Sequence, residues 1–387
     1  MTKKPPPARN APRRTPRPAS KTGAPRKANP RRRESAPVGR RIAAMGSGLL
    51  TMLGLAAVLV VLGAVWIYQG PGPAARSGDQ TTVVLRRGAS LPEIASSLEQ
   101  AGVIRSSSLF LTAAQTTGAA RRLKAGEYEF ASRASLRQVL AKIRDGKIVR
   151  HQVTIAEGLT SDMVVDILMR APELTGTVPT PPEGSILPET YQVQRGEDRA
   201  AVLQRMMDAR DTLLDRLWAA RQPGLPFETK DQAVTMASIV EKETGLARER
   251  PHVAAVFINR LRQGVRLGSD PTIIYGLTRG RPLGRGILQS ELQRQTPYNT
   301  YLIDGLPPTP IANPGKAALE AVLNPMKSDD LYFVADGTGG HVFASTYEAH
   351  ERNVVKWRQV ERSKAAAQAG VPGPVKSPPQ APSGAGG

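Results

Sequence analysis

The apolar residues of the chain form one long uninterrupted run and a series of short periodic segments. The run is residues 46–68, GSGLLTMLGLAAVLVVLGAVWIY, and it contains no charged residue. A helix of this length covers roughly 30 Å, enough to cross a bilayer. Trp66 and Tyr68 stand at its end, where an interfacial aromatic belt is expected. A cleaved signal peptide is the alternative, but the run is long and no A-x-A-like site follows at once. The pattern therefore predicts a transmembrane helix.

Three shorter segments share one pattern of apolar and polar positions. Residues 83–98, VVLRRGASLPEIASSL, and residues 153–168, VTIAEGLTSDMVVDIL, both predict a short strand, a glycine, a hydroxyl residue two positions later, and apolar residues four and eight positions after that. A Ser or Thr at this place is a good helix N-cap, and the apolar residues then lie on one helix face. A weaker copy, residues 128–143, keeps the serine but has no glycine. After a Gly/Pro/Ser linker over residues 69–80, these units are predicted to pack into one α+β module over residues 81–175.

The pattern changes after residue 175 and predicts a second domain of mixed α/β character over residues 176–363. Its expected elements are helices at residues 198–222, 229–244 and 250–262, Pro- and Gly-rich loops at residues 264–315, a β-hairpin at residues 331–344 with its turn at Asp336 to Gly340, and a last helix capped by Ser345 or Thr346 that ends near residue 363. The predicted fold class is therefore α+β, with an N-terminal transmembrane helix, a strand–helix module and a mixed α/β domain.

Charge is concentrated at one end of the chain. The formal net charge is +20, and residues 1–41 hold fourteen Lys or Arg and one acid. This tail is rich in proline and poor in large apolar side chains, so it is predicted to be disordered, as is the Ala/Pro/Gly-rich segment 364–387. The positive-inside rule places the tail in the cytoplasm and residues 70–387 across the membrane. The tail has neither aromatic interleaving nor a folded reader, so we expect it to fix topology and contact anionic lipid, and we predict no nucleic-acid partner.

The composition offers no ligand set for a metal. The chain has no cysteine, which excludes disulfides and thiolate sites, and its four histidines are scattered without an H-E-x-x-H motif. We therefore predict neither a metal nor a cofactor.

The segment TMASIVEKETG, residues 235–245, ends an apolar helix with two glutamates. A capping box at Thr229 and Gln232 predicts where this helix begins, and Gly245 predicts where it stops. Residues two apart point about 200° away from each other on a helix, so Glu241 and Glu243 cannot both face one cleft. The pair alone therefore does not make the two-carboxylate site of an ordinary glycosidase.

Of the two glutamates, the helical geometry favours Glu243 as a general acid. Glu243 stacks below Val240, Ile239 and Met236, whereas Glu241 follows a smaller and less apolar stripe. Bulky apolar neighbours disfavour the ionised carboxylate, so its pKa rises towards the range that a general acid needs near neutral pH. The alternative is that both are solvated charges of a helix end.

Several longer motifs occur in a fixed order around these glutamates. They are ASIVEKETG, VFINRLRQGVRLGSDPTIIYG, TPYNTYLIDGLPPTPIANPG and LYFVADGTGGHVFASTYEAH, with AGEYEF, AEGLT and LPETY before them. Together they closely resemble the membrane-bound endolytic murein transglycosylases, the YceG-like family, over roughly residues 80–360. The resemblance implies a periplasmic enzyme, anchored in the bacterial inner membrane by a single pass. It would cut peptidoglycan between N-acetylmuramic acid and N-acetylglucosamine without water and leave 1,6-anhydro ends.

The resemblance also implies roles for individual residues. Glu243, the second acid of E-K-E, corresponds to the catalytic glutamate, which acts first as acid and then as base, and Thr244 follows it as a hydroxyl residue. The predicted substrate-binding residues are Asn259, Asp270, Tyr298, Asn299 and Tyr301. Each has a structural alternative: a helix-to-loop hydrogen bond for Asn259, a turn position for Asp270, and core packing for the tyrosines. His341 is expected to be structural.

Three further points stay open at this stage. The strand–helix module resembles the LysM-like region of the family, and it either holds glycan or only spaces the catalytic domain from the membrane. The chain could be a non-catalytic peptidoglycan-binding protein, or a hydrolase with a second acid, Asp270 or Glu189, facing Glu243. Expected partners are peptidoglycan glycan strands, the membrane and peptidoglycan synthases.

Overall fold

The computed structural model describes the backbone of residues 38–369 and the side chains of residues 49–365. Most of the predicted basic tail and residues 370–387 of the predicted C-terminal tail lie outside these described residues. The chain divides into two compact units, one that ends at Trp66 and one that begins at Ile67.

Helices provide most of the regular structure between residues 38 and 369. They are α1 (Val38–Gln69), α2 (Leu91–Gln100), α3 (Ser107–Thr116), α4 (Leu136–Asp145), α5 (Ser161–Arg170), α6 (Arg199–Ala219), α7 (Lys230–Glu243), α8 (Arg250–Arg262), α9 (Asp270–Thr278), α10 (Gln289–Leu292), α11 (Lys316–Leu323) and α12 (Tyr347–Ala369).

The strands of the described chain pair two by two. They are β1 (Gln80–Leu85), β2 (Gly126–Ala131), β3 (His151–Thr154), β4 (Leu174–Thr175), β5 (Thr190–Val193), β6 (Glu197–Asp198), β7 (Tyr332–Ala335) and β8 (His341–Ala344). The pairs β1–β2, β3–β5 and β7–β8 are antiparallel, and β4–β6 is parallel. The structure is thus a mixed α/β fold, as predicted, with short separate ladders instead of one large sheet.

Helix α1 contains the predicted apolar run. Within the described residues, its segment Leu49–Gln69 is the one stretch long and apolar enough to cross a bilayer, and none of it is buried. The helix begins at Val38, eight residues before the predicted start of the run, so the end of the basic tail is already helical.

The first core lies beneath β1, β2 and helices α2 to α4. Ser90 and Ser135 start α2 and α4 with capping boxes, as the repeated pattern predicts. The weaker copy has the same backbone as the others, because Arg133 takes the left-handed conformation (φ 62°) that Gly88 (φ 78°) takes in the first copy. The missing glycine therefore changes the residue at the turn and leaves the turn itself in place. Helix α3 has no counterpart among the predicted elements.

The copy at residues 153–168 packs elsewhere. Its strand β3 pairs with β5, and its helix α5 shares a second core with α6. Val164 and Leu168 of α5 and Met206 of α6 are fully buried in this core. The second core thus combines side chains from both sides of residue 175, the boundary expected between the module and the second domain, and that boundary stays a prediction.

The third core surrounds α7, whose residues from Ala233 to Val240 are all buried. Helices α8 and α11 pack against it, strand β7 of the β7–β8 hairpin contacts α8, and α12 packs on the hairpin. The hairpin and its turn are confirmed, with Asp336 N–H donating to Gly340 O at 2.9 Å, and Thr346 caps the last helix. Helix α8 has the predicted bounds, and Gly264 follows it at φ 65°.

Two predictions about this region are wrong. Residues 264–315 are not only loops, since α9 and α10 lie within them. Ser269, Asp270 and Pro271 form the start of α9, since proline is favoured in the first turn of a helix. The Pro- and Gly-rich composition of the region predicted loop instead. Gly245 does not stop α7 either, since the helix ends at Glu243 and Thr244 is already extended (ψ 129°).

The predicted linker is docked on the first core. Gly72 N–H donates to Arg133 O at 3.0 Å, Arg133 N–H donates to Pro73 O at 2.9 Å, and Ala75 N–H donates to Ser132 Oγ at 3.0 Å. A Cβ on Gly72 would collide with the carbonyl of Ala134, so this approach requires glycine.

Candidate active site

Glu243, the last residue of α7, lies half-buried at the edge of an open cleft of about 430 Å³. The cleft is lined by Glu243, Arg260, Val265, Arg266, Gly268, Asp270, Tyr301, Tyr332, Phe333, Tyr347 and His350. Because the rest of α7 is packed in the core, the position of this carboxyl is fixed by the helix and does not depend on a mobile loop.

The surroundings of Glu243 favour its protonated form. Its pKa is raised from 4.5 to about 7, mainly by burial and in addition by the neighbouring Asp270 carboxylate. A hydrogen bond from Ser269 and the positive charges of His341 and Arg260 act in the opposite direction. The balance is a carboxyl that exchanges its proton near neutral pH, as a general acid–base requires.

The hydroxyl that contacts Glu243 comes from another helix. Ser269 Oγ donates to Glu243 Oε1 at 2.5 Å, and Ser269 is held in turn because its N–H donates to Thr300 Oγ1 at 2.9 Å. Thr244, the hydroxyl residue expected beside the acid, instead accepts the Leu246 N–H at 3.1 Å in a local turn. Ser269 was missed because it lies 26 residues from Glu243 in a segment predicted to be loop.

Glu241 is buried and does not face the cleft. Only 4% of its side chain is exposed, and it binds Arg250 Nη2 at 3.0 Å and the Gly315 N–H at 2.9 Å. It is therefore neither a solvated charge of the helix end nor a partner for Glu243 in catalysis. Burial, the largest influence, raises its pKa despite the nearby Arg250 charge.

The turn at residues 156–160, AEGLT, is attached to the end of α7 through Arg250 and Lys242. Arg250 Nη2 also lies 3.3 Å from Glu157 Oε2, and Lys242 Nζ donates to Gly158 O at 3.2 Å. Gly315 has no room for a Cβ, because one would collide with the Glu157 carboxyl. Two of the three E-K-E residues thus fasten the helix end, which leaves the third free to face the cleft.

Two predicted substrate-binding residues lie in the cleft with Glu243. Asp270, the first residue of α9 and not a turn residue, accepts a hydrogen bond from Tyr301 OH at 2.8 Å. Tyr301 is 39% exposed, and burial of its hydroxyl followed by the bond to Asp270 raises its pKa well above the usual range. Both residues present polar atoms where a sugar could bind.

Three predicted residues do not line the cleft. Asn259 Nδ2 donates to Ser328 O at 2.7 Å and to Asp330 O at 3.1 Å, which ties α8 to the irregular segment before the hairpin. Asn299 is 1% exposed and its side chain braces the backbone of its own loop. Tyr298 packs edge-on against Tyr275, with ring centroids 4.9 Å apart. The geometry favours a structural role for these three residues.

Several cleft residues were missed by the motif reasoning. Arg260 is held by hydrogen bonds to Leu331 O and Leu267 O, and its guanidinium lies 5.4 Å from the Tyr332 ring centroid. Tyr332, Tyr347 and His350 come from the hairpin and α12, far along the chain from α7, so no local pattern connects them to Glu243. His341 does not line the cleft and its Nδ1 lies 2.8 Å from Glu249 Oε2.

Glu189, the other acid considered as a second carboxyl, is exposed and outside the cleft lining. Among the residues with described side chains, no group of three or more His, Cys, Asp or Glu could hold a metal ion.

Comparison with known proteins adds an independent line of information. Two curated relatives, each described as an endolytic murein transglycosylase, are 29% identical to the chain. The protein of Streptococcus pneumoniae (strain D39) aligns over 332 residues, 73% of this chain and 59% of its own length, and that of Bacillus subtilis (strain 168) over 232 residues, 59% and 60%. The chain thus spans about three fifths of the length of these relatives.

A crystal structure of a protein of Listeria monocytogenes, described as yceG-like, covers 71% of this chain and 99% of its own, with 30% identity and a TM-score of 0.46. The family model of the YceG-like family matches residues 83–356, most of the chain and all of the residues that form the cleft. The chain therefore belongs to the YceG-like family.

Proposed function

We propose that the chain is a membrane-anchored endolytic murein transglycosylase that cuts peptidoglycan strands between N-acetylmuramic acid and N-acetylglucosamine. The observation that carries the proposal is the Glu243 carboxyl, held in an open cleft with its pKa raised to about 7. Such a group can donate a proton at neutral pH and becomes a base once it has done so. The description shared by the relatives supports the same reaction.

The proposed reaction uses Glu243 twice. Protonated Glu243 gives its proton to the glycosidic oxygen while the bond from that oxygen to the muramyl anomeric carbon breaks. The muramyl 6-hydroxyl oxygen bonds to the same carbon, and its proton returns to the Glu243 carboxylate. No water is consumed, and the products are a 1,6-anhydromuramyl end and a free hydroxyl on the departing sugar. One carboxyl is sufficient because the nucleophile belongs to the substrate. The reaction therefore does not need Glu241, whose carboxylate is paired with Arg250.

A hydrolase is the second candidate, and the position of Asp270 near Glu243 is the observation that favours it. Asp270 lines the same cleft and is close enough to raise the pKa of Glu243. Paired carboxylates of this kind activate water or form a glycosyl-enzyme intermediate in ordinary glycosidases. In the transglycosylase, Asp270 together with Tyr301 would instead bind sugar hydroxyl groups.

The location follows from the apolar helix and the charge distribution. We propose that Leu49–Gln69 anchors the chain in the inner membrane by a single pass, with the basic N-terminus in the cytoplasm and residues 70–387 in the periplasm. The module at residues 81–175 would act as a LysM-like glycan holder or as a spacer, and residues 176–363 as the catalytic domain. Peptidoglycan synthases that supply nascent strands are the proposed partners.

The test is a product analysis. The full-length chain in mild detergent is incubated with purified glycan strands, and the released ends are weighed by mass spectrometry. Glu243→Gln is compared with Glu320→Gln, a matched exposed glutamate on α11 that pairs only with Lys316 at 3.6 Å. Anhydro ends, lighter than reducing ends by one water, should be lost in Glu243→Gln and kept in Glu320→Gln. Reducing ends would make the enzyme a hydrolase, and an inactive parent chain would favour a non-catalytic glycan-binding protein.

A further inference from the structure

One wall of the cleft is aromatic. Tyr332 of β7 and Tyr347 and His350 of α12 are named here the aromatic wall, and all three line the cleft that contains Glu243. Their ring centroids are 5.2 Å apart for Tyr332 and His350, which stack at 22°, and 5.9 Å apart for Tyr332 and Tyr347. The three rings therefore form one contiguous cluster contributed by two elements, in which Tyr332 and His350 turn their faces towards each other and Tyr347 is edge-on to Tyr332.

This surface is not part of the hydrophobic core. Tyr347 is 56% exposed, and neither Tyr332 nor Tyr347 belongs to the core cluster that includes the hairpin residues Phe333 and Phe343. Exposed aromatic rings that border a polar cleft are unfavourable to leave in water and favourable to cover, so they mark a place where a ligand binds.

Neighbouring groups fix the positions of the rings. The Arg260 guanidinium lies 5.4 Å from the Tyr332 ring centroid, and Arg260 itself is fixed by two backbone carbonyls. The first turn of α12 sets the position of His350, whose N–H donates to Thr346 O at 3.1 Å. A surface fixed in this way loses little entropy when a ligand covers it.

The His350 ring presents an uncharged face. Its Nδ1 is buried and has no hydrogen-bond partner among the described residues, so a protonated imidazolium would leave an N–H unsatisfied. Burial, and then the positive charge of Arg260, also lowers the pKa of His350. A neutral ring suits contact with an uncharged ligand.

We propose that the aromatic wall is a sugar-binding subsite on which a pyranose ring of the glycan strand stacks beside the bond that Glu243 cleaves. Pyranose rings present a face of C–H groups with hydroxyls at the edge. The cleft supplies the exposed ring of Tyr347, supported by Tyr332 and His350, beside the polar groups of Asp270, Tyr301 and Arg266. The inference rests on the proposed function, since the ligand is the strand that the enzyme would cut.

The proposed sugar-binding subsite is tested by measuring glycan binding and glycan cleavage separately. Binding of uncleaved glycan strands to the full-length chain in detergent is measured by calorimetry in the Glu243→Gln background, and KM and kcat are measured in the active background. Tyr347→Ala and Tyr332→Ala are the test variants and Tyr347→Phe is the conservative one. Val355→Ala is the matched control, because Val355 is 54% exposed on the same helix and lies outside the cleft lining.

We expect Tyr347→Ala and Tyr332→Ala each to weaken binding by about fivefold or more and to raise KM by a similar factor, with kcat changed less than about twofold. Tyr347→Phe should bind like the parent chain, because it keeps the ring. Unchanged circular dichroism would exclude unfolding as the cause of a loss.

The outcomes separate the two proposals. Cleavage by the parent chain together with undiminished binding by both alanine variants would overturn the aromatic wall and leave the transglycosylase standing. No cleavage, but binding that both alanine variants lose, would refute the enzyme and retain the subsite. A parent chain that binds no glycan overturns the subsite directly.

Discussion

At the scale of single residues, the environment that would suit Glu243 to act as a general acid also disfavours its ionised form in the folded chain. Its carboxyl is half-buried, next to Asp270, and within the described side chains the Ser269 hydroxyl is its one hydrogen-bond partner. Each of these features can be changed by one substitution, and the proton affinity of the acid is the quantity that should respond.

The pH dependence of activity should report the Glu243 proton. Because its pKa is raised from 4.5 to about 7 and the first step needs the protonated form, kcat/KM should fall by about tenfold per pH unit above that pKa. Ser269→Ala removes a bond that favours the carboxylate, so the falling limb should move to higher pH. Ser269 makes no side-chain capping bond to α9, so the helix should persist. An unmoved limb would show that Ser269 does not act on the acid.

The same pKa shift has a consequence for stability. Between the unfolded pKa near 4.5 and the folded value of about 7, the folded chain holds more protons at Glu243 than the unfolded chain, so stability decreases as pH rises through this window. Glu243→Gln removes the titrating group and should therefore raise the free energy of unfolding at about pH 8 by roughly 1–2 kcal/mol, with little effect at about pH 4.5. Urea unfolding of the full chain at both pH values measures this, and equal effects at the two would contradict it.

At the scale of elements, the end of α7 is fastened by the buried pair of Glu241 and Arg250. Glu241→Gln leaves the Arg250 guanidinium, 10% exposed, with only the more distant Glu157 as an acidic partner. We expect a loss of about 2–4 kcal/mol in the free energy of unfolding and a partial loss of activity. Glu320→Gln, at an exposed pair, should change stability by less than about 0.5 kcal/mol. Equal losses in thermal unfolding would show that the buried pair does not hold the helix.

Helices α2, α4 and α7 could be predicted from sequence because local signals determine where they begin. The caps at Ser90, Ser135 and Thr229 and the apolar periodicity that follows them lie within a few residues of each helix start, so sequence alone locates these helices. Prediction failed where distant contacts decide. Glu241 is buried because Arg250 and Gly315 meet it, and neither meeting is written in the E-K-E triplet itself.

The candidate site shows the same division. Glu243 could be chosen from helical spacing, because its apolar neighbours lie on its own helix. Ser269 and the aromatic wall come from three other segments, and only the packing of α8, α9 and the hairpin brings them to the cleft. Asn299 and Tyr298 carry a motif that suits sugars, yet their side chains serve the loop and the core instead.

At the scale of the whole molecule, the uncharged part of α1 should decide where the protein resides. With segment Leu49–Gln69 present, the chain should stay in the membrane fraction after alkaline carbonate extraction, and a chain lacking that segment should appear in the soluble fraction. Extraction of the full-length chain by carbonate would contradict an integral anchor. Reporter fusions at either end would check the proposed cytoplasmic N-terminus.

The hydrogen-bonded segment that follows α1 would limit the range of the proposed enzyme. Ten free residues of this composition would form a flexible linker with a root-mean-square end-to-end distance of roughly 17 Å. Here the backbone of Pro71, Gly72, Pro73 and Ala75 is hydrogen-bonded to the module that contains the first core, so only Gly70 separates the end of α1 at Gln69 from the first bonded position. In the proposed membrane-anchored transglycosylase, so short a free segment would confine cleavage to glycan strands that pass close to the bilayer, so the position of the enzyme alone would restrict its choice of substrate.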